Sequence, residues 1–367
     1  MMRYFLLILF TAVTGFTTYA QQNHGLSKSS PESILLKDYR PKSIYNTPNT
    51  HIPRAKFPVV DMHTHPYAKS TEDLAGWVKR MDAANVKKSI VLTYSTGARF
   101  DSLHRIYSKF GDRFELWCGV DYTGMNEPGW SEKAVKELER CYKVGARGIG
   151  ELGDKGEGEL YSLPVPGYGM HIDDPRMKAV LKRCGELGMP VSIHVAEPMW
   201  MYEPMDSTND GLMNAYKWRV TMDKPGKLNH AQLIQTLENA VRQNPATTFV
   251  ACHLANCEYD LNIIGKLFDK YKNLYADFAA RYAEIGPIPR YMSRFFEQYQ
   301  DRLVYGTDMG TDLEMYAMTF RMLESMDEHF YLTEQTGYQW SCNGFGLPDA
   351  ILKKIYGGNA SKILSGK

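Results

Sequence analysis

Residues Val59 to His65, VVDMHTH, end an apolar run with two histidines two positions apart. On a strand, His63 and His65 therefore project from one face. His194, His253 and Asp308 each close a later apolar run, in SIHVAEP, ACHLAN and YGTD. A catalytic divalent ion takes about three protein ligands and keeps a position open for water or substrate, and imidazole with carboxylate suits zinc, manganese or iron. His63, His65, His194 and Asp308 would supply four such groups, zinc being the first choice and manganese or iron the alternatives. A single strand-end histidine is more often a hydrogen-bonded core residue. Five metal-competent positions at the ends of apolar runs are harder to read that way.

Such groups converge only if the elements carrying them share one rim. Eight short apolar runs recur along the chain, at Phe57 to Met62, Ser89 to Tyr94, Phe114 to Val120, Ala146 to Leu152, Pro190 to Val195, Thr248 to His253, Asn273 to Phe278 and Arg302 to Thr307. Amphipathic stretches separate most of them. Leu74, Trp77, Val78 and Met81 repeat at helical spacing, as do Met177, Val180, Leu181 and Cys184. Pro175 is tolerated in a first helical turn, and Asp173 or Asp174 could cap it. Alternating strands and helices predict an α/β fold, a single (β/α)8 TIM barrel spanning residues 57–367. Two connections, Gly153 to Asp174 and Glu197 to about Asn229, are far longer than usual and follow strand C-termini, where barrel active sites lie. They are candidate substrate walls.

Residues 1–20 pair an early Arg3 with an apolar stretch and a small-residue exit at Ala20, the pattern of a signal peptide, which predicts a periplasmic or secreted protein. A membrane anchor is the rival reading, but threonines interrupt the stretch and it is short for a span. Residues 21–56 read as an extended N-terminal arm, with Leu35, Leu36, Tyr39 and Tyr45 as candidate pins to the barrel. A net charge of +1 gives no basic field for phosphate backbones or anionic lipids. The expected partner is a small-molecule substrate, with no nucleic acid, no membrane once the leader is removed, and self-association as a homo-oligomer left open. The six cysteines fall mainly in predicted core elements and read as buried free thiols rather than a disulfide scaffold.

The His-x-His after the first run, the histidines of SIHVAEP and ACHLAN, and the aspartate of YGTD together resemble the amidohydrolase superfamily. The segments IDDPRMKAVLKRCGELGMPVSIH, GIGELGD and GGNASKIL are similar to its amidohydrolase-related branch, which includes metal-dependent decarboxylases and hydrolases of lactones and amides. The resemblance covers about residues 57–364. It implies that His63, His65, His194 and Asp308 hold the metal, and that Asp308 is the general base for its water. It also implies that His253 polarises a carbonyl, shuttles a proton or completes a second metal site. Asp308 could otherwise cap a turn.

Glu151, in GIGELG, could bridge two ions, bind a cationic substrate group or orient a ligand, and the branch resemblance favours one ion. Arg281 could grip a substrate carboxylate or form a surface salt bridge, and Asp277 could support a ligand or cap a helix. Trp200 and Tyr202, with Trp218 and Arg219, could stack on a sugar or aromatic ring, or pack on one another. The expected activity is metal-dependent hydrolysis of an amide, lactone or related ester in a small molecule. Decarboxylation of a small carboxylated substrate is the alternative, and a non-catalytic binding barrel the third reading.

Overall fold

Each of the eight apolar runs supplies a strand: β1 Val59–Thr64, β2 Val86–Leu92, β3 Phe114–Trp117, β4 Ile149–Asp154, β5 Val191–Val195, β6 Phe249–Ala251, β7 Leu274–Asp277 and β8 Leu303–Val304. The computed structural model describes residues 30–366, so the expected leader and the first part of the arm lie outside the described residues. Every neighbouring pair in the two ladders, β1 to β3 and β4 to β8, is parallel. A bridge between Cys118 and Ile149 joins the ladders on one side. On the other, Met62 N–H donates to Tyr305 O and Asp308 N–H to His63 O, both at 2.9 Å. The sheet is thus closed into the expected (β/α)8 barrel, with no free edge.

The outer ring comprises α1 Thr71–Ala84, α2 Gly97–Tyr107, α3 Trp130–Val144, α4 Lys178–Leu187, α5 His230–Gln243, α6 Asn262–Lys270, α7 Tyr282–Ile285, α8 Pro289–Gln298 and α9 Leu313–Glu324. Ser70 and Asp73 form a capping box at the start of α1, whose Leu74, Trp77 and Met81 are buried. Met177, Val180, Leu181 and Cys184 are buried as their spacing predicts, and Asp174 caps the 3-10 turn Pro175–Met177 that leads into α4. All six cysteines are free and buried. Among the described residues, no helix is long and apolar enough to cross a membrane.

The barrel interior is filled by Met62, Ile90, Leu92, Trp117, Val250 and Val304, and Ala360 and Ile363 of the closing helix Asn359–Leu364 pack against them. Asn359 fixes this plug by donating to Gln300 O and Leu303 O. GGNASKIL is therefore a stopper for the barrel. It lies beside the start of β8, so the opposite rim is the open one.

The arm is held differently from its expected pins. Leu35, Tyr39 and Tyr45 are exposed and Leu36 is half-buried, although the Tyr45 ring does sit edge-on to His329 at 4.8 Å. Instead Thr50 donates from its N–H and its hydroxyl to the two oxygens of Asp327, and Ala55 is buried. A third long connection, residues 325–348, carries the antiparallel pair β9 Phe330–Tyr331 and β10 Ser341–Cys342. It reaches the loop after β5, where Gln339 N–H donates to Asn214 Oδ1 and Trp340 Nε1–H to Asp210 O.

Candidate metal centre

His63, His65, Glu151, His194, His253 and Asp308 meet at the open rim. Both strands that carry the central groups slip register close to them, β1 between Asp61 and Thr64 and β4 between Ile149 and Leu152. Such irregularities re-aim side chains. Each histidine anchors one ring nitrogen outward. His63 Nδ1–H donates to Asp277 Oδ2 at 2.9 Å, His65 Nδ1–H to Leu92 O at 3.0 Å, His253 Nδ1–H to Ala279 O at 2.7 Å, and His194 Nε2–H to Ala196 O at 2.9 Å. The partners fix the tautomers, so the remaining nitrogens face the centre.

Glu151 stands among those nitrogens. Its Oε1 lies 2.9 Å from His194 Nδ1 and 3.4 Å from His253 Nε2, while its Oε2 lies 3.5 Å from His65 Nε2 and 3.8 Å from His63 Nε2. The cluster forms overlapping trios: His63, His65 and Glu151, then Glu151, His194 and His253, which share one carboxylate, and His63, His253 and Asp308, which spans both. Asp308 borders both, with Oδ1 3.0 Å from His65 Nε2 and Oδ2 3.8 Å from His253 Nε2.

The electrostatics suit a bound cation. Burial pushes the Glu151 carboxyl up, but His194, His253 and His63 override it and hold the group well below the ordinary carboxylate range. Burial likewise opposes ionisation of Asp308, yet His63, His65 and His253 hold it down to about 2. Burial disfavours a charged His63, but Asp277 and Asp308 outweigh it and raise its proton affinity. His63 Nε2 is nevertheless buried without a hydrogen-bond partner among the described residues. An orphaned nitrogen aimed between two ionised carboxylates fits a metal ligand. Burial and the nearby Arg281 hold His253 below its usual value, which keeps its ring neutral.

Residues 123–365 match the family described as "Amidohydrolase". The chain belongs to the amidohydrolase family. His63 and His65 precede the matched span and join the site through the closed barrel. Solved structures share the fold. An uncharacterized TIM-barrel protein from Bordetella bronchiseptica is 14% identical, with 84% of this chain and 99% of that one covered and a TM-score of 0.54. The 2,6-dihydroxybenzoate decarboxylase from Rhizobium is 14% identical, with coverages of 84% and 99% and a TM-score of 0.51. The 5-carboxyvanillate decarboxylase from Novosphingobium aromaticivorans, solved with manganese, is 13% identical, with coverages of 87% and 100% and a TM-score of 0.51. No curated protein sequence matches the chain.

In this amidohydrolase, two buried carboxylates behind the ligands hold them in place. Asp277 both supports and caps, since Oδ2 accepts from His63 while Oδ1 accepts the backbone N–H of His253 and of Ala279. Asp61, given no role in the sequence reading, is fully buried beneath His63 and accepts from His63 N–H, Thr307 N–H and the Thr307 hydroxyl, tying β1 to β8. Its alternation within VVDMHTH, two residues before His63, was the available signal. Gly306 is required where these strands approach, because a Cβ there would stand 2.8 Å from His63 Cβ.

A cavity of about 470 Å³ opens onto His65 and Glu151 and is walled by Tyr94, Tyr161, Leu163 and Tyr168. The connection after β4 is thus a wall of this cavity, as its length suggested. The other substrate candidates sit elsewhere. Trp200 lines a separate cavity, with its ring edge-on to Tyr338 and Trp340 at 6.2 and 6.0 Å. Tyr202 uses its hydroxyl to accept from Glu197 N–H and borders neither cavity. Trp218 is half exposed. Arg281 is buried, which excludes a surface salt bridge. Its Nε donates to Asn256 Oδ1 at 2.7 Å, Nη1 to Ala280 O at 3.1 Å, and Nη2 lies 3.7 Å from Glu197.

Proposed function

We propose that this amidohydrolase hydrolyses an amide, lactone or related ester bond of a small molecule at a divalent-metal centre, acting outside the cytoplasmic membrane after its leader is removed. The reading is carried by Asp308, a carboxylate held ionised on the partly open side of the histidine cluster, beside the cavity that reaches His65 and Glu151. A divalent ion held there would polarise a carbonyl and make water a better nucleophile at neutral pH. His63, His65, His194 and Glu151 would hold it, with His253 and Asp308 completing its surroundings.

Asp308 stands ready to take a proton and to return it to a leaving group, as general catalysis requires. His253 commits its one N–H to Ala279 and turns a lone pair inward, which favours a ligand role over carbonyl polarisation. Asp277 fixes the ring of His63. Because Glu151 belongs to two of the overlapping trios, the donor set would have room for two ions, in place of the single ion that the branch resemblance favours. Zinc suits the imidazole-rich set, and manganese is the metal in the Novosphingobium structure.

Decarboxylation is the second reading, prompted by the activities named for the Rhizobium and Novosphingobium proteins. The acidic setting of Arg281 favours hydrolysis, because its guanidinium is already engaged by Asn256, Ala280 and Glu197 rather than open to a substrate carboxylate. Elemental analysis followed by a screen of lactones and amides, with carbon dioxide monitored, tests both. About two ions per chain and acid release without gas are expected. Gas release would replace the hydrolase by a lyase, and a chain that stays metal-free in zinc and manganese would end the metal mechanism. Mass spectrometry of exported protein beginning near Gln21 tests the location.

A further inference from the structure

The cavity at the histidines is not the only concave feature on the loops that follow the strands. A second cavity, of about 590 Å³, lies between the connection after β5, the turn after β6, α7 and the strand β10, lined by Trp200, Glu258, Tyr259, Glu284, Tyr291 and Trp340. Two carboxylates in this wall are anomalous. Glu258 and Glu284 are 6% and 7% exposed, and among the described residues Glu258 Oε2 and both oxygens of Glu284 lack partners in hydrogen-bond geometry. The Tyr338 hydroxyl lies near enough to ease the charge on Glu284, but burial still dominates and raises both carboxyls, Glu258 to about 7. Desolvated carboxylates without donors are costly unless something supplies the donors.

Arg281 is the nearest fixed cation, and it also neighbours Glu197, which pairs with Lys155. Glu203 and Asp210 line the cavity beside Glu258 and Glu284, and no lysine or arginine does, so among the described residues its charged lining is wholly acidic, the complement of a cationic ligand. A bare metal ion fits poorly, since neither carboxylate belongs to a cluster of three metal-competent groups. Hard cations want six or more oxygens. Indole and phenol rings around paired carboxylates instead suit an organic cation, whose charge interacts with ring faces and whose N–H groups pair with the acids.

We propose that this cavity binds the cationic head of the substrate, a primary ammonium or guanidinium on an apolar stem. Glu197 stands between the metal centre and Arg281, which is electrostatically coupled to Glu258 and Glu284 of the cavity wall; its Oε2 lies 3.8 Å from His194 Nε2 and 3.7 Å from Arg281 Nη2. The assignment of this ligand to the substrate rests on the hydrolase reading. The cation site itself does not.

The test is titration of the metal-loaded enzyme with n-butylammonium, n-butylguanidinium, n-butanol and butyrate, followed by calorimetry and by the fluorescence of Trp200 and Trp340. Either cation should bind at least tenfold tighter than butanol, with butyrate weakest. Glu258→Gln with Glu284→Gln should abolish that preference while metal content stays at the wild-type level. Equal binding of butanol and the cations by wild-type enzyme overturns the proposal, and that comparison needs no variant to fold. Amino-alkyl and neutral alkyl esters and lactones then separate the two readings. Selective cation binding with no cleavage of any ester, lactone or amide leaves the cation site standing and removes the hydrolase. Cleavage with equal kcat/KM for charged and neutral substrates, without cation binding, keeps the hydrolase and removes the site.

Discussion

At His63 the two ring nitrogens divide the labour: Nδ1 is tied to Asp277, and Nε2 is buried and unpartnered among carboxylates. Asp277→Asn should therefore weaken metal retention and activity together, each by about 10–100-fold, because an amide can present its N–H to the ring and release the imidazole from its orientation. Metal content under competition with a chelator, measured beside kcat/KM, checks this; activity lost at full metal retention would make Asp277 only a turn cap. Glu258 carries a different prediction. Burial first, then Glu284 and Glu197, push its carboxyl up to about 7 against the pull of Arg281. The folded state then binds the proton more tightly than the unfolded chain, so this contribution to stability is complete below the ordinary carboxylate value and is lost as pH rises through about 7. The thermal midpoint of ligand-free enzyme should fall between about pH 5 and about pH 8. Glu258→Gln should flatten that slope, and identical slopes in the two proteins would show that Glu258 titrates normally.

At the scale of elements, the rim is built by backbone that periodicity does not announce. Tyr94, Ala196, Ala280 and Asp308 have positive φ of 37°, 65°, 51° and 55° and follow β2, β5, β7 and β8. After β6, His253, Leu254, Ala255 and Asn256 make four consecutive left-handed residues at φ 58°, 56°, 53° and 54°. Each such non-glycine residue costs roughly 1–2 kcal/mol. Asp277 and Asn256 offset the cost, the first by accepting His253 N–H and the second by donating to Val195 O and Ala196 O. The turn directs His253 into the centre and leaves Asn256 to accept from Arg281. At half-buried Ala280, glycine relieves the strain while adding unfolded-state entropy, so Ala280→Gly should range from neutral to about 1 kcal/mol stabilising. In a helix interior the same change costs about 1 kcal/mol. Chemical denaturation measures the difference, and a loss above about 1 kcal/mol would mean that this backbone is not strained.

For the molecule as a whole, a metal that binds the folded chain and not the unfolded one stabilises by mass action, about 2.7 kcal/mol at a hundredfold excess over Kd. Chelation should lower the thermal midpoint by on the order of a few degrees, restored by zinc or manganese, and a midpoint indifferent to both would separate the centre from folding. Much of this architecture was legible along the chain. The eight runs became the eight strands because burial on both faces demands continuous apolar residues, and the helical stripes of α1 and α4 lie against them for the same reason. His63, His65, His194, His253 and Asp308 could be singled out because the ends of parallel strands share one rim. Glu151 was legible as a position, but its division between two trios depends on the slip in β4 register. Asp61, Tyr94, Glu258 and Glu284 carry no comparable pattern, and whether Arg281 gripped a substrate carboxylate or formed a salt bridge was undecided along the chain until Asn256 and Glu197 stood beside it. The sequence by itself determined the barrel and the convergence of its metal-competent groups, because periodicity and strand order are local properties of the chain. Only the tertiary structure decided which nitrogens face inward, where the cavities open and which carboxylates lack partners, because those depend on contacts between residues far apart in sequence.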